Sequence, residues 1–421
     1  MASTVLHLSA PLPLLNFLHE RTALRSFIAI RAIDEFGSQM LNVAIAWYMY
    51  VATRDPMSLA YVGLIRFLPN IAMALLAGHA ADRLDRRRII GFSLTVQALC
   101  LAILGAWAAN GKLSAGAVYL LLLVTGAAQA FSFPAMSAMQ PQLVSPAEFP
   151  RAVAITSTVF QICTLAGPAV GGLIYALIGP RMFVLSAALY VVALAQVRRL
   201  ATVSDAAPTE QRPPDESPLG GIRYIRSNRL LFSVISLDLF AVLLGGVTAL
   251  LPIYAKDILA VGPAGLGWLR CPPGIGAAIV GFALARRTIR QSAGRLMLAC
   301  VAGFGSATVV FAISTNFWLS LAALIGAGAF DMVSMVIRQT LVQVSTPDAM
   351  RGRVSAVQWV FVGASSELGE FESGATAALF GAVPAALLGG VGTLAVVALW
   401  TRIFPELSRA DMLVTENGHG I

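Results

Sequence analysis

Charge is what this sequence has least of. Only 12% of its 421 residues are Asp, Glu, Lys or Arg, against about 25% in a typical soluble domain, whereas 57% are hydrophobic. That shortage excludes a soluble globular chain. Cysteine is also scarce: Cys100, Cys163, Cys271 and Cys300 stand singly inside apolar runs with no Cys-x-x-Cys spacing, so neither a disulfide framework nor a cysteine metal site is expected. The four histidines form no cluster with acids at metal-ligand spacing. A Gly-Lys phosphate loop is missing, which argues against nucleotide hydrolysis as an energy source. No metal and no cofactor is therefore expected.

What is abundant is the apolar run of about 20 residues that a bilayer span requires. Twelve such spans are expected, at about residues 25–51, 58–80, 89–109, 114–139, 152–178, 181–198, 229–255, 264–285, 295–315, 317–342, 353–380 and 384–404. The fold class is thus an all-α membrane protein. Residues 1–24 carry no basic region ahead of their short apolar run, which Pro11 and Pro13 break. They are expected to be a cytoplasmic lead-in, not a cleaved signal peptide.

Arginine placement gives the orientation. The loops DRLDRRR (82–88), RRLATVSDAAPTEQRPPDESPLGGIRYIRSNR (198–229), RRTIRQSAGR (286–295) and STPDAMRGR (345–353) are Arg-rich, whereas alternate loops hold single charges such as Arg54, Arg181 and Lys256. The positive-inside rule makes the first set cytoplasmic, with both termini on that side. The net charge of +8 then reports topology; it does not imply nucleic-acid binding.

Residues 200–228 are rich in Pro, Asp, Glu and Ser and read as a flexible linker. They divide an N-terminal half (25–199) from a C-terminal half (229–404), followed by a tail (405–421). An offset of about 202 residues superposes the halves: Gly78 falls on Gly281, SPAEFPRAV (145–153) on TPDAMRGRV (346–354), and AGPAVGG (166–172) on LGEFESG (368–374). A parallel repeat of two six-helix halves is a transporter architecture.

The loop GHAADRLDRRR (78–88) resembles the motif between helices 2 and 3 of the major facilitator superfamily, with Gly78, Asp82, Arg83, Arg86 and Arg87 matching and Asp85 departing from the usual Gly. Asp85 and TPDAMRGRVSAV before the eleventh span are similar to the branch that contains the bacterial enterobactin exporter and related drug effluxers. The resemblance covers about residues 25–404. It implies a secondary transporter in the bacterial inner membrane, driven by a proton gradient, acting as a monomer and exporting a small amphipathic compound, drug-like or siderophore-like, by antiport. An importer or uniporter on the same fold, or a membrane protein that does not transport, is the alternative.

Motif residues have physical readings as well. Asp82 suits the N-terminus of the eleventh helix, near Arg351 and Arg353, because a helix N-terminus favours negative charge. Gly78, Asp82, Arg83, Arg86 and Arg353 are accordingly expected to form a cytoplasmic gate, against the alternative that the arginines only set topology. LAGPAVGG (165–172) resembles the antiporter motif of the superfamily, with Gly167, Pro168, Gly171 and Gly172 matching and Cys163 in place of the first Gly. Its small residues serve close packing as well as gating.

Charges inside spans complete the reading, since each is costly in hydrocarbon unless paired or wetted. Asp34 and Glu35 in span 1, Gln129 in span 4, Asp238 in span 7, Asp331 in span 10, and Glu367 and Glu370 in span 11 are the proton-coupling or cavity candidates; the resemblance implies that spans 1, 4, 7 and 10 line the cavity. Arg31 is expected to pair with Asp34, and Arg338 to sit at a helix end. Glu367 and Glu370 lie 60° apart on one face and Glu372 looks elsewhere. Their alternative role is to pair with Arg66 or Arg270 and hold helices together. Pro272 and Pro273 predict a break in span 8.

Overall fold

The computed structural model describes residues 21–111, 114–200, 218–286 and 292–410. Twelve long helical segments follow one another: α1 (Thr22–Thr53), α2 (Pro56–Arg83), α3 (Arg86–Ala109), α4 (Ala115–Met139), α5 (Phe149–Ile178), α6 (Met182–Val197), α7 (Arg229–Gly245 and its continuation to Ile258), α8 (Gly262–Arg270 and Pro272–Arg286), α9 (Ala293–Ile313), α10 (Phe317–Val344), α11 (Asp348–Phe380) and α12 (Ala382–Ile403). Each expected span has its helix. Among the described residues, eight stretches are long and apolar enough to cross a membrane, one of which, Phe149–Val197, holds both α5 and α6. The three spans outside that set, α1, α2 and α11, carry Asp34, Glu35, Arg66 and the three glutamates of α11.

Helix ends obey capping chemistry. Asp55, Asp85, Asn228 and Asn316 accept from backbone N–H groups of the first turn that follows each of them, satisfying donors a helix start leaves unpaired. Outward faces are apolar: Phe92, Leu177, Trp318 and Leu379 are each more than two-thirds exposed, as a lipid-facing surface requires. The prolines break α8 as expected, with Cys271 between the two segments. A second break was not expected. α7 stops at Gly245 and resumes as 3-10 helix at Thr248, where two successive glycines disfavour helix. The freed Gly246 carbonyl accepts from the Ser373 hydroxyl of α11 at 2.7 Å, so the break stays satisfied away from water.

Part of the expected flexible linker is helical. Residues 201–217 lie outside the described residues, but Pro218–Ser227 form a helix packed on the start of α11, with Ile225 buried and the Tyr224 hydroxyl donating to the Ser345 carbonyl. Gly221 is needed there, because a Cβ on it would meet the Arg353 carbonyl oxygen at 2.8 Å. At the Arg-rich end of α5, Arg21 pairs with Glu148, and the Ser145 hydroxyl, ahead of that arginine, holds the Glu148 carboxyl below its ordinary range.

Pseudo-symmetry extends to the packing. On α5, a Cβ at Gly167 would strike Gln39 of α1 at 2.6 Å, and one at Gly172 would strike Pro263 and Gly267 of α8. On α11, Gly369 abuts Val242 and Leu243 of α7, and Gly374 abuts Ala60 of α2. In both helices the first glycine packs within its own half and the second packs across to the other half.

Packing between the halves is one-sided. One core cluster joins residues of both halves, Tyr50 and Leu59 with Leu250, Tyr254 and Ala377, on the side away from the Arg-rich loops. Toward the Arg-rich side the clusters separate: Leu24, Ile28 and Ala152 in one half, Leu231, Met297, Val354 and Trp400 in the other. Added side chains at Gly78 and Gly352, at the Arg-rich ends of α2 and α11, would meet open space. Among the described residues the halves are therefore closed on one face and parted on the Arg-rich face.

Candidate functional site

Where the halves close, they enclose a cavity of about 350 Å³. Asn42 of α1, Gly63 and Arg66 of α2, Gln129 and Phe133 of α4, Ala249 of α7, Arg270 of α8, and Glu367 and Glu370 of α11 line it. Three of the expected residues, Gln129, Glu367 and Glu370, are thus brought together. The two carboxylates point at α2: a Cβ on Gly63 would meet Glu370 Oε2 at 3.3 Å and Glu367 Oε2 at 3.7 Å. Arg66 and Arg270 are the cations within electrostatic reach of the pair. They come from opposite halves, so the cavity holds two acids and two bases drawn from three helices.

Local structure explains why these side chains point inward. Arg270 ends the first segment of α8, immediately before the proline break. Its Nε is buried with no hydrogen-bond partner. The α2 backbone carries Arg66 close to α4, where Gly126 lets its carbonyl approach; a Cβ at Gly126 would stand 3.0 Å from it. Glu372 is turned away, accepting from Thr376 on its own helix at 2.7 Å.

The remaining acidic candidates lie elsewhere. Glu35 does not line the cavity; it accepts from Gln39 at 2.8 Å and from Thr164 of α5 at 3.1 Å, tying α1 to α5. Asp34 is eight residues before Asn42, about 12 Å along the helix axis toward the Arg-rich side. The expected ion pair with Arg31 is absent among the described residues, and Asp34 Oδ1 is buried without a partner. Asp331 faces a separate cavity of about 130 Å³ inside the C-terminal half, beside Gly328, Phe304 and Thr308.

Asp238 is paired. Its carboxylate forms an ion pair with Arg338, and both residues are 5% exposed. Arg338 is therefore no helix-end residue, and Asp238 is committed to joining α7 and α10. Removing one partner of a buried pair strands the other charge, which costs about 3–5 kcal/mol. Asp238→Asn should accordingly lower the unfolding temperature of the purified protein by many degrees. The double change Asp238→Asn, Arg338→Met should recover most of that loss.

The expected Arg-rich gate is only partly visible. The Asp82 side chain lies outside the described residues, and Arg83 is exposed. Arg86 donates to the Ala81 and Ala138 carbonyls, at 3.1 Å each, and so ties α2 to α4 within one half. It does not cross to the other half because the halves are parted there. Arg353 contacts the linker helix through Gly220 and Gly221.

Sequence reasoning missed the closure on the opposite face. The Tyr50 hydroxyl of α1 donates to Asp257 of α7, Arg54 lies 3.9 Å from the same carboxylate, and the Lys256 ammonium sits 5.5 Å from the centre of the Tyr50 ring. A π-helical turn, Tyr254–Ile258, presents Lys256 and Asp257. Below it, Pro168, Gly172 and Gly267 let α5 and α8 touch backbone to backbone: a Cβ on Gly267 would stand 2.4 Å from the Pro168 carbonyl oxygen. Cys163 donates weakly to the Ala32 carbonyl and Cys271 to the Leu165 carbonyl. Both cysteines are packing residues, and among the described residues no cluster of His, Cys, Asp and Glu could hold a metal.

Residues 18–417 match the family model described as transmembrane secretion effector. The enterobactin exporter EntS of Escherichia coli O127:H6 is 27% identical over 404 residues, covering 94% of this chain and 95% of EntS. Among solved structures, a bacterial homologue of the human lysosomal transporter Spinster, inward-facing and unoccupied, superposes with a TM-score of 0.72 at 13% identity, covering 92% of this chain and 98% of the other. The nucleoside transporter NupG superposes with a TM-score of 0.69 at 15% identity, covering 91% and 99%. At those identities the structures speak to the fold alone.

Proposed function

The chain belongs to the transmembrane secretion effector family of major facilitator transporters, and from that premise we propose that it exports a small amphipathic compound in exchange for protons. As a member of that family it is a multi-pass secondary transporter and not an enzyme. The export direction draws its support from the likeness to EntS, whose name is that of an enterobactin exporter. The Arg-rich face is the cytoplasmic one by the positive-inside rule, so the conformation described above is open inward.

A single observation carries the coupling: two carboxylates share a face of α11 inside the cavity that closes the molecule, Glu367 and Glu370. Two carboxylates on one face there offer a site that can take up and release a proton. A proton taken from outside and released inside would be exchanged there for substrate. Gly172 of the α5 motif serves the same cycle, since its contact with Pro263 and Gly267 of α8 crosses between halves and must part when the cavity opens outward.

The outer closure should be weak enough to open. An exposed ion pair such as Arg54–Asp257 contributes about 0–1 kcal/mol, whereas a hydrogen bond to a charged group contributes about 1.5–3. Tyr50 therefore dominates Arg54 in that contact. Tyr50→Phe should enrich the outward-open state by about fivefold or more, read as faster labelling of a cysteine introduced at Gly63, while Arg54→Gln should change labelling little. The export reading itself is tested in proteoliposomes loaded with enterobactin or amphipathic drugs: an imposed proton gradient should drive their movement against a concentration gradient. Transport indifferent to the gradient would overturn proton exchange.

A further inference from the structure

The cavity carries side chains of both charge signs, and among the described residues Arg270 forms no ion pair with either glutamate. Arg270 makes no ion pair within 4 Å among the described residues, and its Nε is buried without a partner. Glu370 likewise makes no ion pair within 4 Å among the described residues. Glu367 and Glu370 face Arg270 across about 350 Å³, room for a drug-sized molecule. Uncompensated charge in such a site costs several kcal/mol. An occupant with one sign of charge would satisfy one wall and leave the other unanswered.

We infer that the substrate is amphoteric: a compact molecule whose anionic group takes Arg270 and whose cationic group takes the Glu367–Glu370 pair. This rests on the proton-exchange reading, and that reading also fixes its sign. A cationic group competes with protons for the two carboxylates, so binding expels a proton, as exchange requires. A purely anionic substrate would bind best when the glutamates are protonated, and proton and substrate would then travel together. The amide side chains of Asn42 and Gln129, on the α1 and α4 walls, offer donors and acceptors to the uncharged middle of the molecule.

The test uses the full chain in nanodiscs and a matched set of fluorescent probes: norfloxacin as the zwitterion, its ethyl ester as the cation, and its N-acetyl derivative as the anion. At neutral pH the zwitterion should bind about tenfold or more tightly than either derivative. Arg270→Gln should reduce zwitterion binding to the level of the ester without changing the ester, and Arg270→Lys, which keeps the charge, should retain most of the preference. Glu367→Gln with Glu370→Gln should reduce the zwitterion to the level of the N-acetyl anion. Either derivative binding as tightly as the zwitterion, an equal loss for zwitterion and ester in Arg270→Gln, or no zwitterion binding at all would overturn the inference. Zwitterion preference without gradient-driven transport in proteoliposomes would remove proton exchange and leave the amphoteric site standing.

Discussion

Replacing Glu367 and Glu370 together by Gln should abolish the dependence of substrate efflux on the proton gradient, leaving passive equilibration. Glutamine keeps the size and polarity of each side chain but cannot titrate, so the change removes the proton and little else. Each single variant should retain part of the coupling, because the remaining acid still faces Arg66 and Arg270. The competing role, in which the glutamates only hold the arginines, makes a different forecast. Stranding a buried cation costs about 3–5 kcal/mol, so a purely structural pair would show itself as a large fall in unfolding temperature with gradient dependence intact in whatever protein remains folded. Efflux and thermal unfolding measured on the same preparations separate the two roles.

Gly172→Ala should trap the transporter with its outer face open. A Cβ at Gly172 would stand 2.5 Å from the Pro263 carbonyl oxygen and 2.8 Å from the Gly267 Cα, and neither is the flexible end of a side chain. Overpacking of this kind typically costs about 1–3 kcal/mol, which is about 5- to 150-fold in the balance between states, and the penalty falls only on the state in which α5 and α8 touch. Transport should fall by about tenfold or more, since the cycle needs both states, while the protein stays folded. Gly171→Ala is an instructive contrast. Its Cβ would strike Met40 of α1 within the same half, so it should lower stability without favouring either face.

Sequence patterning was strong where one helix decides the matter. The twelve spans, the proline break in α8 and the glycine spacing shared by α5 and α11 all follow from composition and period within single segments. Glu367 and Glu370 were placed together by the 100° step alone, and Glu372 was separated from them by the same arithmetic. Patterning failed wherever the answer depended on which neighbour a helix face meets. Asp238 and Arg338 are 100 residues apart, and their pairing needs the register of α7 against α10. Asp34 and Glu35 share α1 with the cavity residue Asn42, yet α1 has several faces: Glu35 turns to Thr164 of α5, and the Asp34 backbone carbonyl accepts from the Tyr190 hydroxyl of α6.

Two further features were legible only in part. The Gly245–Gly246 pair was a signal for the α7 break, but the Ser373 hydroxyl that satisfies it comes from a residue 127 positions later. Arg54 and Lys256 registered only as isolated loop charges, because nothing local shows that Tyr50 and Asp257 meet. Intramembrane charge alone marks Arg66 and Arg270 as possible partners of the glutamates; that they line the cavity depends on the fold.

On the proposed proton exchange, proton occupancy of the Glu367–Glu370 pair sets which face is open. Spin labels on cysteines at Gly78 and Gly352, where added side chains meet open space, in a background lacking the four native cysteines, report the gap between α2 and α11 on the Arg-rich side. Double electron–electron resonance should resolve two distances whose weights change with pH, and the pH dependence should vanish in the Glu367→Gln, Glu370→Gln variant. A single distance at every pH, or a pH response undiminished in that variant, would contradict the account.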